Sequence, residues 1–164
     1  RFHLKVLVEQ FIQTTGYAYV VAWGAKGAVS EELPNFAGMY AGAFSTAGVQ
    51  EFVENADCIL SLGVLNCEIN SGEFTVQLDK AKIIDIQKNY IPIDGEVISN
   101  IDISSIVKEL SQVELQAKPY LFEHSPHYQV NFNSLNKQEI EHDNLIWHIN
   151  NLLASDDIEV RGQM

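Results

Sequence analysis

Apolar residues at Leu4, Val6, Leu7, Val8, Phe11 and Ile12 recur at helical spacing, which predicts a helix already running at the first residues. Thr14, Thr15 and Gly16 supply its end, since glycine takes the left-handed conformation that closes a helix. The aromatic and β-branched run from Tyr17 to Ala22 predicts a buried strand. A helix followed by a strand invites a strand before the helix, and none is present, so the chain reads as a piece of a longer protein. From Trp23 to Gly42 the punctuation of Ser30, Pro34, Asn35, Gly38 and Gly42 predicts one long loop. A short helix from Thr46 to Asn55, with Val49, Phe52 and Val53 on one face, precedes a buried strand from Cys58 to Leu62 that ends at Gly63.

Alternation of apolar and polar residues from Gly72 to Leu78 predicts a half-exposed strand. Lys82–Ile86 reads as an interior strand and Glu96–Ser99 as a short one. Asp102 is placed to cap a helix from Ile103 to Gln112, its carboxylate accepting the first free N–H groups. The pattern then changes. Residues 113–133 hold Pro119 and Pro126 with little periodicity and read as an interdomain linker. Ser134 begins a helix to Ala154 whose stripe is Leu145, Ile146, Ile149, Leu152 and Leu153, and residues 156–160 open a strand. Residues 134–164 thus read as the start of a second domain and residues 1–112 as the first.

Composition narrows the function. Of 164 residues 46% are apolar, enough for the core of an ordinary domain without disulfide or metal. Two cysteines, Cys58 and Cys67, suit a reducing, cytoplasmic setting. Ten basic residues against 22 acidic ones give a net charge of −12, which repels phosphate backbones and anionic lipid, so neither nucleic acid nor membrane is an expected partner. No stretch approaches the roughly 20 apolar residues of a membrane span.

Strand, glycine turn, helix and strand are the grammar of a Rossmann-like, doubly wound, mainly parallel α/β sheet with helices on both faces, which binds ligands beyond the carboxyl ends of its strands. Three loops would meet there: Trp23–Gly27, Gly63–Asn66 and Gln87–Asn89. Gly24, Gly27 and Gly63 would let backbone approach a ligand, Lys26 could face a phosphate, and Asn66, Asp85 and Gln87 complete the candidate pocket. Neither G-x-G-x-x-G nor G-x-x-x-x-G-K-[ST] is present, so the glycines also read as sharp turns in a packed domain. Cys58 and Cys67 lack zinc-ligand spacing, and Cys58 reads as a small core residue. His124 and His127 read as solvated linker residues, His142 and His148 as surface residues, and Glu31 with Glu32 as a solvated loop face. No catalytic or metal-binding residue is assigned.

Five ordered segments carry a resemblance: Gly24-Ala-Lys-Gly27, Ser30-Glu-Glu-Leu-Pro-Asn-Phe36, Gly38-Met-Tyr-Ala-Gly42, Asn55-Ala-Asp-Cys-Ile-Leu-Ser-Leu-Gly63 and Asn70-Ser-Gly-Glu-Phe-Thr75. Over residues 1–112 the chain resembles the central domain of thiamine-diphosphate-dependent 2-oxo acid decarboxylases of the pyruvate and indolepyruvate type, and residues 134–164 resemble the start of the diphosphate-binding domain. The resemblance implies a parent enzyme of three α/β domains, using thiamine diphosphate and Mg²⁺ and forming a homo-oligomer. It also implies that the partners of this chain are the pyrimidine-binding and diphosphate-binding domains, and that the chain alone binds no cofactor and is inactive. Two alternatives remain: a central domain holding FAD or ADP, as in carboligases that resemble acetolactate synthase, or an interaction module without catalysis. A second acidic residue in the segment matching Ile84-Asp85-Ile86-Gln87 is typical of the nucleotide binders, and Gln87 stands in that place.

Overall fold

The computed structural model describes residues 4–93 and 95–112. The expected linker, the helix from Ser134, the strand after it and all four late histidines lie outside the described residues.

Helix α1 spans Lys5–Thr15 and ends where Gly16 turns left-handed (φ 67°), its N–H donating to Ile12 O at 2.9 Å. Leu4, Leu7, Val8 and Phe11 face inward, but Val6 is 66% exposed, because a residue one position before Leu7 sits about 100° around the helix from it. Strand β1 is Tyr19–Val21, shorter than the run that predicted it. Asn35 shortens it: its Nδ2 donates to Tyr17 O at 2.5 Å and its carbonyl accepts from Tyr19 N at 3.1 Å, and the register shifts between Tyr19 and Val20.

The long loop expected from Trp23 to Gly42 contains an unforeseen strand, β2 (Phe36–Met39), parallel to β1. Its small residues, Ala37 and Gly38, hide the strand signal that bulky β-branched side chains normally carry. Helix α2 is Val49–Glu54, with Val49 and Val53 buried as expected. Strand β3 is Ile59–Leu62 and pairs in parallel with β4, Ile83–Ile86, so that Ser61 stands opposite Asp85. Cys58 falls just before β3 and is exposed, which overturns its reading as a core residue; Cys67 is exposed as well.

The strand expected from Gly72 to Leu78 is absent. Gly72, Glu73 and Phe74 have φ of 55°, 57° and 62°, and residues 71–75 form a tight turn followed by irregular chain. Strands β5 (Tyr90–Ile93) and β6 (Glu96–Ser99) form an antiparallel hairpin. The first was not anticipated, although Asp94-Gly95 in the sequence is a strong hairpin signal. Helix α3 is Ile103–Leu110, with Asp102 at its N-cap as expected. The capping bond is not made: the Asp102 carboxylate accepts from the Ser104 hydroxyl instead of from backbone N–H.

Three apolar clusters bind these elements. Phe11, Ile86, Ile91, Ile103 and Val107 join α1, α3, β4 and β5, with Leu60 and Leu62 of β3 packed against them. Val21, Val29 and Phe36 pack with Tyr19 and with Val8 of α1. Tyr40, Val49 and Val53 gather around α2 with Val20 of β1 and Ile59 of β3. Successive residues of β1 and β3 therefore serve opposite helix layers, α1 on one side and α2 on the other, as the twofold alternation of a strand requires. The chain is an α/β protein in which the described strands form three hydrogen-bonded pairs.

Candidate functional site

The segment after β3 is the meeting place of the loops that follow β1 and β4. Asn70 makes the first connection. Its Oδ1 accepts from Gly24 N at 3.1 Å and its Nδ2 donates to Leu65 O at 3.0 Å, so one amide spans the turn after β1 and the turn after β3. Gln87 makes the second, its Nε2 donating to Val64 O at 3.0 Å. Two successive carbonyls, Val64 and Leu65, thus each accept from a side-chain amide, and Leu65 O accepts from Cys67 N as well.

Beneath Gln87 lies a compact polar cluster. The same Nε2 is 3.0 Å from both Oδ1 and Oδ2 of Asp85, and the Ser61 hydroxyl donates to Asp85 Oδ1 at 2.8 Å. Asp85 of β4 and Gln87, the first residue past its end, are joined by their side chains, and the register of β3 against β4 delivers Ser61 to the same place. Ser61 and Asn70 are the residues that sequence reasoning missed. The pairing register of β3 with β4 would have found Ser61, whereas nothing local marks Asn70.

The other candidates are placed as follows. Gly63 (φ 64°) turns the chain out of β3 while its N–H donates to Ile86 O at 2.8 Å. Asn66 is exposed on the same segment. Lys26 is drawn away from any phosphate by Glu31: the ammonium lies 2.9 Å from Glu31 Oε2, and Glu31 Oε1 accepts from Gly27 N at 3.4 Å. This pair is a surface one and contributes little to stability. Glu31 is half-buried and Glu32 exposed on this loop.

Two of the sequence segments noted above meet in space. The Thr75 hydroxyl accepts from Ala43 N at 2.8 Å and donates to Gly72 O at 2.6 Å, tying residues 41–43 to residues 71–75. A Cβ at Gly42 would collide with Thr75 Oγ1 and come within 2.8 Å of Ser71 O, and one at Gly72 would collide with Ala41 O. Ser71, almost wholly buried, donates to Cys67 O at 2.8 Å and accepts from Phe74 N at 3.0 Å, which holds the left-handed turn. Glu54 Oε1 accepts from Tyr40 Oη, Gln50 Nε2 and Gln77 N. Burial, and then the hydrogen bond to Glu54, raises the Tyr40 phenol above its ordinary range. Tyr19, whose hydroxyl donates to Ser30 O, is pushed up to about 12 by burial, with the Glu31 and Glu9 charges adding to it.

Among the described residues no group of three or more His, Cys, Asp or Glu side chains converges to hold a metal ion. No described helix is long and apolar enough to cross a membrane.

The sequence profile of the thiamine pyrophosphate enzyme central domain matches residues 2–112. A pyruvate decarboxylase of Aspergillus fumigatus is 32% identical over 128 residues, 74% of this chain and 22% of that enzyme. A pyruvate decarboxylase of Hanseniaspora uvarum is 31% identical over 110 residues, 67% of the chain and 20% of the enzyme. One from Kluyveromyces marxianus is 29% identical over 121 residues, 73% and 22% respectively. The chain spans about a fifth of the length of the curated relatives it matches.

Proposed function

Because the chain belongs to the family of thiamine pyrophosphate enzyme central domains, we propose that it is the central, structural domain of a 2-oxo acid decarboxylase of the pyruvate type. The observation that carries this reading is the agreement of three pyruvate decarboxylases with two thirds or more of the chain. An enzyme of this kind would use thiamine diphosphate and Mg²⁺, the cofactor supplying an electron sink when bound. The described residues do not fit a site for that group. They offer no metal-ligand set, and the cluster of Ser61, Asp85 and Gln87 is an internally bonded acidic one rather than a cradle for phosphate. The reading proposed here places catalysis and cofactor binding outside residues 4–112, with this domain contributing architecture, and its support is the match to a central domain.

The architecture we propose is one doubly wound sheet. The opposite helix layers served by alternate residues of β1 and β3 support it, since a sheet covered on both faces needs that alternation. The test is enzymatic. The full-length protein should release CO₂ from pyruvate or a bulkier 2-oxo acid only when thiamine diphosphate and Mg²⁺ are supplied, whereas residues 1–164 alone should release none. A full-length protein that releases no CO₂ from any 2-oxo acid, or a 164-residue chain that does, would refute the proposal.

A further inference from the structure

Pro92 of β5 stands opposite Val97 of β6, and a proline has no N–H to give, so this pair is one of the ladder positions that exchange no hydrogen bonds. Alternation makes Tyr90 and Ser99 another such pair, which agrees with the Tyr90 carbonyl turning away from β6 to accept from Gln87 N at 3.0 Å. The N–H and C=O groups of Val97 and Ser99 therefore point away from β5, along the outer edge of the hairpin. Among the described residues no strand lies beyond that edge, and residues 95–100 are all exposed. The apolar layer runs out there as well. Ile91 is buried in the largest cluster, whereas Ile98 directly across the ladder is 47% exposed and Val97, on the opposite face, 61%.

We propose that β6 is a docking edge for a second copy of this chain, paired antiparallel about a twofold axis at Ile98, so that the two hairpins merge into one sheet. Self-complementarity argues for this occupant. In that register the outward groups of Val97 meet those of Ser99 in the other copy, and the reverse, so each exposed N–H and C=O of the two residues gains a partner. Ile98 meets its own copy at a position without hydrogen bonds, where side chains stand closest, and the exposed half of each is covered. Glu96 falls opposite Asn100, and the two Glu96 carboxylates lie about 13 Å apart along the strands, beyond the Debye length of about 8 Å at physiological salt. A chain of net charge −12 thus meets itself here without like charges face to face. Because the strand is only Glu96–Ser99, the contact belongs to the small, weak class of interfaces. This surface is independent of the proposed decarboxylase role.

Sedimentation equilibrium of the 164-residue chain at about 0.15 M salt tests the proposal. A dimer should grow in as the concentration rises through about 0.1 mM. Ser99→Pro removes an N–H that β5 does not use, which an edge strand tolerates, and should weaken the dimer about tenfold or more. Val6→Ala, at an apolar residue exposed on α1, should leave it unchanged. A chain still monomeric at about 1 mM, a Ser99→Pro dimer of undiminished strength, or a dimer lost in Val6→Ala would each overturn the proposal. Should Ser99→Pro fail to fold, cross-linking decides the register. With the exposed Cys58 and Cys67 replaced by serine, Ile98→Cys should give a disulfide-linked dimer on air oxidation, since pairs of this kind hold their Cα atoms about 4.5 Å apart, within a disulfide's reach. Val97→Cys, offset by two residues from its own copy, should not. No cross-link through Ile98→Cys, or an equal one through Val97→Cys, would contradict the edge. Release of CO₂ by the full-length protein is untouched by any of these outcomes, so the two readings fail separately.

Discussion

At the scale of single residues, the tightest constraint is the contact between residues 41–43 and residues 71–75. Gly72 is buried and left-handed at φ 55°, and the oxygen that a Cβ would meet belongs to the Ala41 backbone, which cannot rotate away as a side chain does. Gly72→Ala is therefore expected to cost about 2–4 kcal/mol, well beyond the usual price of a left-handed alanine, as read from urea unfolding. The tyrosines set a limit of another kind. The folded chain holds the Tyr19 proton up to about 12 against about 10 in an unfolded chain, so between those values the native state carries more protons than the unfolded one. Stability is thus intact below about pH 10 and falls as pH rises toward 12, with Tyr40 acting in the same direction. Unfolding midpoints from about pH 9 to about pH 12 should drop across this window, and less steeply in Tyr19→Phe. An unchanged slope in that variant would show that Tyr19 is not the group responsible.

At the scale of elements, α1 and α3 are held by burial on one side only. Val107 of α3 is 1% exposed in the largest cluster, whereas Val6 of α1 is 66% exposed. Val107→Ala should destabilise by about 1–3 kcal/mol and Val6→Ala by less than about 0.5 kcal/mol, a contrast that thermal melts resolve. The same contrast explains what could be read beforehand. Helices α1, α2 and α3 and strands β3, β4 and β6 announce themselves through apolar spacing, and each lies within a few residues of its expected place. Strand β2 escaped because its signal is tertiary: Phe36, Ala37 and Gly38 are buried by their neighbours rather than by any pattern of their own. The alternation from Gly72 to Leu78 misled for the converse reason, since Ser71 and Thr75 bond to nearby backbone and impose a turn on a sequence with strand periodicity. Of the candidate site, Asp85 and Gln87 were legible because they stand at and just beyond the carboxyl end of an apolar strand, in a segment that also carries the family resemblance. The link from Asn70 to Gly24 was not, since it joins residues 46 apart in sequence. The capture of Lys26 by Glu31 depends on how the loop folds back, which no spacing rule records.

At the scale of the molecule, the chain carries a net charge of −12 and spans about a fifth of the length of the curated relatives it matches. Its parallel pairs converge on the stretch from Gly63 to Gly72, where the Val64 and Leu65 carbonyls receive amides from Gln87 and Asn70, and Asn70 in turn holds Gly24. The loops after β1, β3 and β4 are consequently not separate modules. Losing Asn70 from the segment after β3 would leave Gly24 N and Leu65 O without their side-chain partner, and losing Gln87 from the loop after β4 would do the same to Val64 O. A recombinant within this family should therefore keep the two side-chain amides, Asn70 and Gln87, while the residues whose backbone they hold are free to differ.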